Sequence, residues 1–284
     1  MCVKILLMII VALLVLGLVM GSFVNALVWR LHEQETEQAK KKPNKAYLKR
    51  LSMSRGRSMC SNCHHELAAK DLIPVVSWLW LRGKCRYCGK PIPDSPLIEL
   101  STALLFAISY IYWPELLQGW QIAVFCLWLA ILVGLVALSV YDLRWYLLPN
   151  RLIYPLSGLA IVQAAILILT ADDRRAALIH TALAVIVGGG IFYVIYQISK
   201  GKWIGGGDVR LGWLLGLIVA TPAKGLLFIF LAAVGGTIIS VPLLASGRLK
   251  RNAIIPFGPF LILGAIITVL FGTQILNWYQ GLFL

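Results

Sequence analysis

Apolar residues along this chain gather into eight long runs, near residues 5–29, 97–113, 120–141, 151–170, 177–198, 210–222, 225–245 and 254–276. Polar residues fall between the runs instead of alternating within them. About 20 apolar residues in a helix cross the ~30 Å hydrocarbon layer of a bilayer. The pattern therefore predicts an all-α polytopic membrane protein with about eight transmembrane helices, the run at 210–222 being the shortest. The first run has only Lys4 before it and meets basic residues at once, which reads as a retained anchor and not a cleaved signal peptide. One polar interval is large enough to hold structure of its own. The chain thus divides into a first transmembrane helix (1–29), an insert (30–96) and a seven-helix membrane core (97–284).

Charge gives the runs a direction. The net charge is +14, and 22 of the 26 Lys and Arg residues lie in 30–94, 142–151, 199–210 and 246–252, which are alternate connections between runs. Basic residues accumulate on the cytoplasmic side of a membrane. These segments, the insert included, are expected in the cytoplasm, with both termini outside it. The charge then orients the chain in a membrane, against lipid, and does not mark a nucleic-acid partner.

The insert has two halves. Residues 32–58 are polar and poor in aliphatic side chains, consistent with a surface helix or loose segment. The second half carries Cys60-Ser61-Asn62-Cys63 and, after 21 residues, Cys85-Arg86-Tyr87-Cys88. Two such knuckles can gather four thiolates around one tetrahedral Zn²⁺. The alternatives are two disulfides or four reduced thiols, and a cytosolic location disfavours disulfides. With Cys60, Cys63, Cys85 and Cys88 as ligands no coordination position stays open, so the expected zinc is structural. His64 and His65 are then surface residues. Cys2 and Cys126, at or inside apolar runs, are expected to be packing thiols.

Two lone acids remain. Asp142 closes the third run and Asp208 opens the sixth after Gly205-Gly206-Gly207, which places both at the inner face if the topology holds. Carboxylates at hydrocarbon depth line cavities, pair, or take part in chemistry. If the two meet, they would share one proton, one acid able to give it and the other to take one, as in an aspartic protease. Gly205 and Gly207 would permit positive φ and let a substrate backbone approach. The duller readings are ion pairs with Arg144 or Arg210, or a proton relay.

Taken in order along the chain, several segments resemble the prepilin peptidases, or type IV leader peptidases, of the G-x-G-D aspartic protease class. They are Gly21-Ser22-Phe23-Val24-Asn25 with Arg30, both cysteine knuckles, the Pro96 to Leu100 segment, Asp142 followed by Leu147-Leu148-Pro149, and Gly205 to Asp208. The resemblance implies catalysis by Asp142 and Asp208 and cleavage of the basic leader of prepilins or pseudopilins at the cytoplasmic face. Many members also methylate the new N-terminus with S-adenosylmethionine, and Glu99 is the acid implied for that activity. Three places depart from the family pattern. Arg144 and Asn150 stand where further acids are common, and Asp94-Ser95-Pro96 replaces an Arg-Tyr-Pro sequence. A zinc-ribbon-bearing transporter or assembly scaffold is the alternative, although the sequence lacks the repeated halves of a transporter.

Overall fold

The computed structural model describes residues 2–53, 56–92, 96–247 and 255–282. A helix forms at each of the eight apolar runs: α1 (Cys2–Gln38), α4 (Pro96–Ile111), α5 (Trp120–Trp145), α6 (Asn150–Thr170), α7 (Arg174–Ser199), α8 (Gly206–Val219), α9 (Pro222–Ala245) and α10 (Gly258–Gly281). Short helices α2 (Lys45–Arg50) and α3 (Val76–Trp80) lie in the insert. Among the described residues six helices are long and apolar enough to cross a membrane. The other two, α4 and α8, have 16 and 14 residues. Among the described residues strand pairing is limited to two isolated bridges. The chain separates into two compact units, one ending at Ile111 and the other beginning at Tyr112.

In the first unit, α1 runs past the expected end of its span at residue 29 to Gln38. The His32–Gln38 stretch is rich in Glu and Gln, good helix formers that continue the helix into water. This extension takes hold of the loop that follows α2. The buried Arg30 guanidinium donates to the carbonyls of Ser52 and Gly56, each at 3.2 Å, and Gln34 Nε2 donates to Leu51 O at 2.8 Å. The described residues that flank α2 on its C-terminal side are therefore held on α1 and not loose. Small residues let α1 and α4 meet. A Cβ on Gly17 would lie 2.5 Å from Ala103 Cα, and one on Gly21 would lie 2.5 Å from Glu99 Cα. This is close backbone packing of the small-x3-small kind found in membrane helices.

The second unit is built on α5, whose Trp128, Ile131, Leu132, Leu135, Leu138 and Tyr141 are fully buried. On α7, Gly188 serves packing. A Cβ there would come within 2.7 Å of Gly212 O, so α7 and α8 touch through backbone. Cys126 does not pack: it is exposed on α5, in a position that faces outward from the bundle. The Cys2 side chain lies outside the described residues.

Candidate active site and metal centre

Both acids sit at helix ends. Asp142 occupies the last turn of α5, and the chain turns immediately after it: Tyr146 is left-handed (φ 57, ψ 34) and its N–H returns to Asp142 O at 2.8 Å. Asp208 is the third residue of α8, where the first amides of a helix have no intrahelical acceptor. Its Oδ2 accepts from Gly205 N at 3.3 Å. The same arrangement holds Asp142 from another helix: α10 begins at Gly258, whose N–H donates to Asp142 Oδ2 at 3.1 Å. Each carboxylate thus caps a helix N-terminus, where the amide dipoles favour negative charge. Asp142 is buried and Asp208 is partly exposed.

The connecting residues bring these ends together. Leu148 sits between the starts of α8 and α10: a Cβ on Gly207 would lie 3.0 Å from Leu148 Cβ, and one on Gly258 would lie 3.5 Å from Leu148 Cδ2. Arg210 donates to Asn150 Oδ1, tying the start of α8 to that of α6. Among the described residues neither acid is in an ion pair. Arg210 is turned to Asn150, and Arg144 lies 6.0 Å over the Trp145 ring. The glycines before Asp208 behave differently from expectation. Gly205 has φ −73, and among the described residues of that stretch positive φ falls on Lys200 and Gly201 instead. A glycine that sequence reasoning missed is Gly258: a Cβ there would lie 2.6 Å from Asp142 Oδ2. Its position at a Gly-Pro helix start was the available signal.

In the first unit the four cysteines converge. The Sγ atoms of Cys60, Cys63, Cys85 and Cys88 all lie within 4.8 Å of one another, and Cys60 and Cys88 are 4.0 Å apart. None is in a disulfide. A tetrahedral site with Zn–S bonds of about 2.3 Å requires sulfurs about 3.8 Å apart, so the cluster can hold a metal ion.

The two knuckles share one backbone pattern. Cys60 N donates to His65 O (3.0 Å) and His64 N to Cys60 O (2.9 Å); Cys85 N donates to Lys90 O (2.8 Å) and Gly89 N to Cys85 O (2.9 Å). The fourth residue after each first cysteine is left-handed, His64 at φ 54 and Gly89 at φ 69. Both histidines stay outside the cluster. His65 stacks on Tyr87 at 3.8 Å and His64 meets Tyr47 edge-on at 5.4 Å.

Asp71, which sequence reasoning also missed, braces the second knuckle. It accepts from Arg86 Nε at 2.8 Å and from Tyr87 OH at 3.1 Å, and these are the two residues between Cys85 and Cys88. Burial pushes the Asp71 carboxyl up, but the bonds from Arg86 and Tyr87 outweigh it and hold the pKa below the ordinary carboxylate value.

Glu99 is buried in the first turn of α4, and its Oε2 accepts from Val75 N at 2.5 Å. Val75 has φ 61 and ψ −51, and Val76 N reaches back to Pro74 O at 2.5 Å. This is a positive-φ γ-turn at a β-branched residue, a strain of about 1–3 kcal/mol that its surroundings must hold in place. Asp94 and Ser95, the departures nearest Glu99, lie outside the described residues.

The fold and these sites define a polytopic helical membrane protein with two acids at one end of its bundle and a four-thiol cluster in a separate unit. Residues 15–113 match the Bacterial Peptidase A24 N-terminal domain and residues 129–241 match the Type IV leader peptidase family. The chain is 30% identical over 272 residues to the type 4 prepilin-like proteins leader peptide-processing enzyme of Escherichia coli O78:H11, covering 89% of this chain and 90% of that one. It is 30% identical over 230 residues to the prepilin leader peptidase/N-methyltransferase of Bacillus subtilis, covering 81% and 87%. Against the enzyme of that name from Burkholderia pseudomallei (strain K96243) it is 33% identical over 273 residues, covering 92% and 84%. No solved structure matches the chain. The chain belongs to the type IV leader peptidase family.

The brace on the second knuckle generates a prediction. Asp71→Asn removes the charge that holds Arg86 and Tyr87 and should weaken metal retention by about tenfold, as loss of outer-shell partners commonly does. Competition with a chromogenic chelator measures it; retention equal to wild type would show that the knuckle holds its shape without Asp71.

Proposed function

We propose that this chain is a membrane aspartic endopeptidase that removes the leader of prepilins and pseudopilins at the cytoplasmic face of the bacterial inner membrane, with both of its own termini outside the cytoplasm. The observation that carries this reading is the pair of carboxylates, Asp142 and Asp208, each pinned through one oxygen to a helix N-terminal amide with no cation beside it among the described residues. In this reading one carboxylate takes a proton from water as the water oxygen bonds to the scissile carbonyl carbon. The other gives a proton to the departing nitrogen, the C–N bond breaks, and a new amino terminus is released. Gly205 leaves the extended backbone before Asp208 without a side chain where an extended leader would lie, whereas Gly207 packs on Leu148. Family membership does not favour a transporter or scaffold.

The four cysteines are proposed to hold one structural Zn²⁺, which closes the insert and supplies folding energy that so small a unit cannot draw from its core. The relatives' second activity extends the reading to methylation of the new N-terminus by S-adenosylmethionine. When bound, S-adenosylmethionine would supply the methyl group to the amine nitrogen and leave as a thioether, the amine losing one proton to water. Glu99 would support this activity through position: it holds the strained Val75 turn within the insert.

Three measurements test these readings. Asp142→Asn and Asp208→Asn should each abolish cleavage of a co-expressed prepilin, and the double variant should be hardly worse than either single one, because residues acting as a unit do not add. Near wild-type processing by either inserted variant would remove that residue from the pair. Gly258→Ala drives a methyl group against Asp142 Oδ2 and should lower the cleavage rate by about 100-fold, the cost of a displacement near 1 Å; an unchanged rate would mean that the α10 amide does not set the carboxylate. Elemental analysis should find one zinc per chain, lost on Cys→Ser substitution at position 60, 63, 85 or 88. Purified protein without stoichiometric metal would refute the assignment.

A further inference from the structure

Helix α3 has two sides. Trp78 turns inward, and the chain folds over its ring: a Cβ on Gly83, itself at φ 69, would lie 2.9 Å from Trp78 Cζ2. Ile73, Val76, Leu79 and Trp80 lie on the outside, three and four residues apart as on one face of a helix, and all four are exposed. Ser77 N donates to Ile73 O at 3.0 Å, which draws Ile73 into the same register. Trp80 is 81% exposed, the most of any large apolar side chain among the described residues. Neighbouring apolar side chains on the outside of a polar segment mark a surface that meets something other than water.

The height of this face is fixed by α4. The outward leucines of that helix, Leu97, Leu100 and Leu104, are again three and four residues apart, so the row available to lipid begins in the first turn. Glu99, in the same turn, holds Val75 N at 2.5 Å and thereby keeps the start of α3 at the edge of the apolar layer. Tryptophan favours that edge, where its ring meets acyl chains and its N–H meets water.

Charge selects the occupant. From 72 to 92 the sequence holds Arg82, Lys84, Arg86 and Lys90 and no acid. Asp71 matches Arg86, and among the described residues Arg82, Lys84 and Lys90 are in no ion pair. An apolar face followed at once by unmatched cations suits an anionic leaflet, whose acyl boundary takes the side chains and whose headgroups take the charges. The same cations would repel the basic leader of a prepilin and a second copy of the insert alike.

We propose that the outer face of α3 is an interfacial anchor that seats the insert in an anionic phospholipid leaflet, with Leu79 and Trp80 in the acyl boundary and Arg82 and Lys84 on the headgroups. The inference goes beyond the peptidase reading and does not depend on it. It gives the insert a second attachment to the membrane besides the helices at its two ends.

Benzoylphenylalanine in place of Trp80 tests the anchor in the full-length protein, by photo-crosslinking in cells that also express a prepilin and mass spectrometry of the product. A phospholipid adduct is expected, and cleavage of the prepilin in the same cells reports the peptidase separately. In nanodiscs the adduct should form several-fold more with phosphatidylglycerol than with phosphatidylcholine. On phosphatidylglycerol, Arg82→Gln and Lys84→Gln should each lower the yield by up to about fivefold, the factor that one cation near an anionic surface is worth; elution volume reports that the fold is kept. Crosslinks to the prepilin or to a second copy of the chain in place of lipid, equal yields in the two lipids, or no adduct at all would each overturn the anchor.

Discussion

The unsatisfied amides at the start of a helix are the constraint on which the second unit depends. Such an end needs an acceptor, and inside a membrane bundle water cannot be relied on to supply it. Here α8 and α10 are each capped by a carboxylate, α8 by its own Asp208 and α10 by Asp142 from the end of α5. The caps do two things at once. They complete two helices, and they fix one oxygen of each acid at the same end of the bundle. An acid that would be costly at this depth is stabilised by dipoles already present in the fold. Gly258 and Gly207 belong to the same arrangement, because a side chain at either would push into Asp142 or Leu148.

The first unit solves a different problem, which is to hold a short, polar insert in one shape. Its apolar content is small, and its order comes from directed bonds. Arg30 and Gln34 tie the loop after α2 to the extension of α1, two matching knuckles bring four sulfurs together, and Asp71 anchors the residues between the second pair. Glu99 holds the turn at Val75 in a conformation that a β-branched residue avoids on its own.

Much of this was legible in the sequence because the signals were local or compositional. The eight apolar runs became eight helices, and the two C-x2-C pairs at their spacing became one cluster. What escaped was set by contacts between distant segments. Asp71 looks like any exposed acid until Arg86 and Tyr87 fold onto it, and Gly258 acquires its role only when α10 starts beside Asp142, 116 residues away in the chain. Helix α1 outran its apolar stretch because Glu and Gln carry a helix into water as readily as leucine carries it through lipid. The residue type of Gly205 permits positive φ, yet an N-cap needs extended backbone, and φ −73 supplies it.

The central claim is that Asp142 and Asp208 act on one atom. Its most direct test is a cryo-electron microscopy structure of the protein bound to a prepilin leader peptide whose scissile amide is replaced by a hydroxyethylene group. The account predicts both carboxylates within hydrogen-bond distance of the single hydroxyl, with Gly258 N still on Asp142. A bound peptide whose hydroxyl touches one acid or neither would contradict it.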